Sequence, residues 1–297
     1  MNILVSVDGK YIKHLRVLLL SMRDHMQKEQ LDVYLLHKSL TQEETAKLTS
    51  EMKKDYDIHV HPIQVGKTSF DEIKLNGHFT IETMLRLVAA EVLPGSMERI
   101  LWLDADIVIC NDFSDFYNTD FDGAVIGACA ENTTVFMDHG DRLGLGSEHI
   151  YFNAGVLLMN LIAMRQRNAV GTFTDILKQY DDMLKYNDQD ILNIAFTGKD
   201  VKYFPSRLYN CRISSNFGMS DADYRKLMEE CCIMHYAARS KPWDVMYTNH
   251  VERNYWKYAR QDGRRVEYLR FLLTAPIHTY WMRHRMKKLY GVVYKRI

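Results

Sequence analysis

Asp104 and Asp106 stand one residue apart in Arg99-Ile-Leu-Trp-Leu-Asp104-Ala-Asp106-Ile-Val-Ile109, where an apolar run delivers two carboxylates and then turns apolar again. In an extended strand residues i and i+2 share a face, so the two acids converge. Converging carboxylates repel and are costly to desolvate unless a cation sits between them, and hard oxygen ligands suit Mg²⁺ or Mn²⁺. A divalent cation carrying a phosphate ligand is the chemistry such a pair serves. The same spacing also fits a solvated strand end, so the rest of the chain has to decide.

The elements that must position these acids are short β-rich runs alternating with helical patterns. Ile3–Val7, Val33–His37, Ile58–Ile63, Ile100–Leu103, Val125–Ala130, Tyr151–Asn160 and Val201–Phe204 read as strands. Thr41-Gln-Glu-Glu44 is a capping box opening a polar helix toward Lys54. From Thr80 to Leu93 the residues Ile81, Met84, Leu85, Val88 and Val92 recur at helical spacing, and Pro94-Gly95 ends the run. This β-α-β alternation predicts an α/β fold with a mostly parallel sheet and helices on both faces. Ligands in such folds bind at the carboxyl ends of the strands, which is where Asp8 and Asp104 fall. With no internal repeat or low-complexity tract, residues 1–262 read as one domain, followed by a basic tail over 263–297.

Composition narrows the function classes. A hydrophobic content of 47% in 297 residues is ample for a buried core, and Lys+Arg and Asp+Glu both number 38, so no basic field exists to hold nucleic acid. Cys110, Cys129, Cys211, Cys231 and Cys232 are odd in number and lack Cys-x-x-Cys spacing, which predicts reduced core thiols and no zinc cluster. Met1-Asn-Ile-Leu-Val-Ser-Val7 looks like a first strand and carries no leader signal, so a cytoplasmic location is expected. No apolar run approaches the ~20 residues that span a bilayer. Arg283 to Ile297 holds six Lys or Arg and no acid, interleaved with Trp281, Met282, Met286, Leu289 and Tyr290. A basic helix of this kind suits either the anionic inner face of the cytoplasmic membrane or packing on the domain.

An apolar strand followed by Asp-x-Asp also opens the haloacid-dehalogenase-type phosphohydrolases, but there the motif starts the fold, and here about a hundred residues precede it. Nucleotidyltransferases would need a Gly-rich loop after the first strand, where Val7-Asp-Gly-Lys10 has one glycine. Three further segments follow in order: Tyr151-Phe-Asn153-Ala-Gly155-Val-Leu-Leu-Met-Asn160, Asn187-Asp188-Gln189-Asp190-Ile-Leu-Asn193, and His235-Tyr-Ala-Ala-Arg-Ser-Lys241-Pro242-Trp243. Together with the Asp-x-Asp they resemble glycosyltransferase family 8, the retaining group that includes bacterial lipopolysaccharide galactosyl- and glucosyltransferases and glycogenin.

The resemblance runs from Met1 to about Trp243 and implies a Rossmann-like GT-A fold, Mn²⁺ (or Mg²⁺) and a UDP-glucose or UDP-galactose donor. It implies a glycan or glycolipid acceptor, transferring with an α linkage. By the same resemblance Asp104, Asp106 and His235 would be metal ligands, with Ala105 between them lining the donor. Lys241 would lie against the diphosphate and help the leaving group depart. Asp8 would sit near uracil and ribose, and Arg86, otherwise a surface charge opposite Ile81 and Leu85, would contact the diphosphate or the donor sugar. Asn153, Asp188 and Gln189 would line the sugar pocket; without the resemblance, Asn187 to Asp190 is a helix N-cap. With Gln189 facing the anomeric carbon there is no obvious carboxylate nucleophile, which favours same-face substitution; Asp188 as nucleophile after rearrangement is the alternative. Gly9-Lys10 stands where many relatives carry Asp-Asn, and Ala237-Ala238-Arg239 where they carry a glycine. A nucleotide-sugar-binding protein without transfer is the competing non-enzymatic reading.

Overall fold

The computed structural model describes residues 1–71, 80–131, 134–213, 220–237, 241–247 and 250–290, with side chains described as far as Thr279 at the C-terminal end. Among the described residues ten strands form two sheets. In chain order they are β1 (Asn2–Ser6), β2 (Leu31–His37), β3 (Ile58–Gln64), β4 (Arg99–Leu103), β5 (Ile107–Ile109), β6 (Ile126–Ala130), β7 (Phe152–Asn160), β8 (Val201–Phe204), β9 (Cys211–Arg212) and β10 (Ile233–His235). The main sheet runs β3-β2-β1-β4-β7-β6-β8 and the small one β5-β10-β9. Only β7 runs against the rest of the main sheet, pairing antiparallel with β4 and β6. Each strand expected from sequence lies within two residues of an observed one.

The strands alternate in the side chains they bury, and the alternation divides the core into two layers. Ile3, Val5, Leu101, Leu103, Val156 and Leu158 pack into one apolar cluster, and Leu4, Ile100, Trp102, Leu157 and Met159 into the other. Four of the five cysteines are buried and all are free, as expected of core thiols.

Two local outcomes matter for the site. The expected capping box forms, with Glu44 N–H on Thr41 Oγ1 and Thr41 N–H on Glu44 Oε2, and the helix runs Gln42–Tyr56. The expected helix over 80–93 is broken instead: α-helix at Ile81–Met84, a tighter 3₁₀ turn at Leu85–Val88, and α-helix again at Ala89–Val92. That turn carries Arg86 inward, to 2% exposure. The C-terminal helix spans Arg265–Tyr290 with Pro276 inside it. Phe271, Ala275 and Thr279 pack on the domain, whereas Val266, Leu269, Leu273 and Ile277 stand exposed. Residues 291–297, and the side chains of the tail from Tyr280 on, lie outside the described residues. No helix among the described residues is long and apolar enough to cross a membrane.

Candidate active site

The two acids converge, but not along one strand. β4 ends at Leu103 and β5, in the other sheet, begins at Ile107, so Asp104-Ala-Asp106 is a turn between sheets. β10 pairs antiparallel with β5, His235 opposite Ile107, and brings the imidazole onto that turn. His235 Nε2 lies 3.2 Å from Asp106 Oδ1 and 3.7 Å from Asp104 Oδ2. One ligand atom from each of Asp104, Asp106 and His235 falls within 4.8 Å of the others. Two carboxylates and an imidazole at this spacing fit a divalent ion that accepts both oxygen and nitrogen.

The remaining carboxylate oxygens are committed. Asp104 Oδ1 accepts from Arg86 Nη2 and Trp102 Nε1, both at 2.9 Å, which leaves Oδ2 toward His235. Lys241 Nζ donates to Asp106 Oδ2 at 2.5 Å and to the Tyr236 carbonyl at 2.8 Å. Burial would raise the Asp106 carboxyl, but the charges of Lys241 and then His235 outweigh it and hold the group well below the usual carboxylate range. Behind the turn, Gly155 on β7 accepts Asp104 N–H at its carbonyl, 2.9 Å away. A Cβ there would fall 2.8 Å from Asp104 Oδ2 and 2.9 Å from His235 Nδ1, so only glycine lets β7 come this close.

Arg86 joins this group to the sugar-pocket residues expected from sequence. Its ring of contacts includes Asp104, the Thr83 and Ala154 carbonyls, the Trp102 face at 4.3 Å, and Asp188 Oδ2 at 2.9 Å. The reading of Arg86 as a surface charge is therefore overturned: the guanidinium is buried and bridges two carboxylates. Asp188 is 3% exposed, and burial pushes its carboxyl up to about 7 despite the opposing charge of Arg86. Gln189 Oε1 accepts from Ala154 N–H at 3.0 Å and from Asn153 Nδ2 at 3.2 Å. Asn153 Nδ2 also donates to Glu131 Oε1 at 2.8 Å, and Glu131 pairs with Arg212.

Asn187 does not cap the helix Asp188–Ala195 with its side chain, contrary to the N-cap reading. Its backbone takes φ 45°, ψ −111°, a strained conformation for an L-residue, directly before Asp188. The turn is held by Asp190 instead, which is fully buried. Its carboxylate accepts from the Lys185 and Tyr186 N–H groups at 2.6 and 2.8 Å, from His139 Nε2 at 2.8 Å, and from the Tyr151 hydroxyl.

Asp8, two residues beyond β1, accepts Tyr11 N–H at 3.0 Å, and among the described residues no hydrogen bond or ion pair ties it to Asp104, Asp106 or His235. Ala105 sits in the turn, partly buried against the core, with only its backbone to offer a ligand. Ala238 and Arg239 lie outside the described residues. Sequence reasoning missed Trp102, Glu131, Asn210 and the ring of Tyr11, which stands edge-on to Trp243 at 6.1 Å. Trp102 alone had a signal, two residues before Asp104 on the same strand face.

A mostly parallel sheet with two acids and an imidazole at its carboxyl edge, beside a buried Arg-Asp pair, has the architecture of the GT-A nucleotide-sugar glycosyltransferases. The chain belongs to glycosyl transferase family 8, whose family model matches residues 2–246. Glycosyltransferase GlyF of Streptococcus pneumoniae is 24% identical over 91% of this chain, which spans 64% of GlyF's length. The lipopolysaccharide 1,2-glucosyltransferase of Escherichia coli K12 is 24% identical over 82% of this chain and 72% of its own. Among solved structures, the galactosyltransferase LgtC, in complex with donor and acceptor sugar analogues, superposes with a TM-score of 0.76 at 25% identity, covering 88% of this chain and 96% of LgtC.

Proposed function

We propose that the chain transfers glucose or galactose from a UDP-sugar to a hydroxyl of a glycan or glycolipid acceptor, with retention, in a reaction that depends on Mn²⁺. The observation that carries this reading is the Arg86 bridge: one guanidinium links Asp104 of the metal-site group to Asp188 of the sugar pocket. A site so joined suits a ligand that is diphosphate at one end and sugar at the other. Relatives that include lipopolysaccharide glucosyl- and galactosyltransferases support the lipopolysaccharide class of acceptor.

Asp104, Asp106 and His235 would hold the metal, which supplies Lewis-acid neutralisation of the departing diphosphate. Lys241 adds a point charge beside it. Arg86 orients both carboxylates it touches. The Gln189 carbonyl oxygen is committed to two donors and its amide also hydrogen-bonds the Tyr151 hydroxyl, which fixes the side chain and places no carboxylate at that position. Asp188, paired to Arg86 and raised to about 7, is a poor nucleophile at neutral pH. Same-face substitution, with a diphosphate oxygen taking the acceptor proton, therefore fits these residues better than double displacement.

The enzyme should release UDP slowly from UDP-glucose or UDP-galactose with Mn²⁺, and stop in excess EDTA or as Asp104→Asn. With an acceptor the new bond should be α, read from the proton coupling at the anomeric carbon. A β-linked product would refute retention, and binding without turnover across a glycan array would leave a nucleotide-sugar-binding protein.

A further inference from the structure

Asn210 is 1% exposed and follows the short helix Ser206–Tyr209, immediately before β9. Its Oδ1 lies 2.8 Å from His235 Nδ1, and its Nδ2 donates to Asn153 Oδ1 at 2.9 Å. The two ends of a carboxamide are close in shape, so which end faces the imidazole must be settled by its neighbours. Here they settle it from both sides.

Gly155 N–H, a backbone group that can only donate, points at Asn153 Oδ1 from 2.9 Å. Glu131, paired with Arg212, places a carboxylate oxygen 2.8 Å from Asn153 Nδ2. Turning the Asn153 amide over would set N–H against N–H and oxygen against oxygen. Asn153 Oδ1 is thus an acceptor, Asn210 presents Nδ2 to it, and Asn210 Oδ1 is left as an acceptor facing His235. An acceptor at that place requires a proton on Nδ1. A neutral imidazole protonated at Nδ1 carries its lone pair on Nε2, the atom that faces Asp104 and Asp106.

We propose that Asn210 is a positioning residue that locks His235 in the Nδ1–H tautomer and so presents Nε2 as a ready metal ligand. The order runs in series from the Gly155 backbone through two amides to the imidazole. Ligating histidines depend on such a partner for ring orientation and basicity, and losing it typically weakens metal affinity about 10–100-fold. The proposal rests on the metal reading above, but the proton on Nδ1 is set by Asn210 with or without the metal and can be measured in the metal-free protein.

Long-range proton–nitrogen NMR spectra of the ¹⁵N-labelled, metal-free full chain at pH 8 report each ring, with His235 assigned by its loss in His235→Gln. The wild type should show a protonated, pyrrole-type Nδ1 at His235. Asn210→Leu should lose that pattern and bind Mn²⁺ about 10–100-fold more weakly, read as free Mn²⁺ by electron paramagnetic resonance. Asn210→Asp keeps an acceptor toward Nδ1 but sets oxygen against Asn153 Oδ1, so it should keep the Nδ1 proton while losing stability. A wild-type His235 unprotonated at Nδ1 overturns the proposal, as does Asn210→Leu with unchanged pattern and affinity. If Asn210→Leu does not fold, the wild-type and Asn210→Asp spectra still decide. Wild type that binds no Mn²⁺ but shows Nδ1–H would sink the metal reading and leave the lock intact.

Discussion

Lys241 holds its ammonium group between Asp106 and the Tyr236 carbonyl, largely buried, and Asp106 keeps it protonated against the cost of desolvation. A cation placed this way is a fixed point charge. Under the proposed function its value would grow as negative charge accumulates on the leaving diphosphate, because a group already oriented needs no reorganisation when the bond breaks. Lys241→Ala should therefore lower kcat by more than about tenfold while the donor Kd shifts less. Equal losses in binding and in kcat/KM, with kcat unchanged, would show that Lys241 only anchors the ground state. Most of these site residues were legible in the sequence. Asp104 and Asp106 were legible from their spacing, and His235 and Lys241 only through the family resemblance, whereas Asn210 and Glu131 are ordinary polar residues until the fold surrounds them with donors and acceptors.

At the scale of elements, the pocket depends on how the helix Asp188–Ala195 begins. Asp190 accepts four hydrogen bonds, two of them from the backbone of Lys185 and Tyr186, and these hold the strained Asn187 and hence the direction in which Asp188 and Gln189 project. Asp190→Asn cannot accept at every one of those contacts. It should cost about 1–3 kcal/mol in urea unfolding and lower kcat as the pocket loosens, although Asp190 itself is fully buried. Unchanged stability would remove Asp190 as the anchor. Strand periodicity read cleanly from sequence because burial on both faces leaves long apolar runs. The break of the 80–93 helix did not, since the apolar spacing is that of a continuous helix and the 3₁₀ turn appears only where Arg86 reaches Asp104 and Asp188.

The whole molecule binds its ends together near the site. His14, on the helix Ile12–His25, stacks on Trp243 with ring centroids 3.6 Å apart and shares a hydrogen bond of 2.8 Å with the Tyr255 hydroxyl. Burial first, then the nearby charges of Lys13 and Arg264, lower it from 6.5 to about 3. Between those values the unfolded chain binds a proton that the native state refuses, so stability rises with pH there. His14 thus takes nothing from stability above pH 6.5 and takes progressively more as the pH falls toward 3. Between pH 7.5 and 4.5, His14→Gln should lose about 2 kcal/mol less than wild type in urea unfolding; parallel losses would reject the buried neutral histidine.

At the same scale, Val266, Leu269, Leu273 and Ile277 form an exposed apolar row on the C-terminal helix, with Arg265 and Arg270 beside it in sequence. We propose this row, on the helix that leads to the basic tail, as a peripheral contact with an anionic membrane. Full-length chain should sediment with anionic vesicles at low salt and less so at high salt, and the Leu269→Glu/Leu273→Glu double variant should stay in the supernatant. Equal sedimentation of both would show that the row is not the contact.

The sequence by itself determined the alternation of strands and helices and the order of the four motifs, because each follows from local pattern: apolar strand runs, helical spacing, and residue types confined to short windows. Only the tertiary structure decided how those motifs meet. Asp104 and Asp106 converge through a turn between two sheets, and His235 reaches them through a strand pairing more than a hundred residues away. Arg86 and Asn210 gain their meaning from carboxylates and amides brought from distant strands. Hydrogen-bond direction, burial and charge compensation are properties of neighbours in space, and no window along the chain contains them.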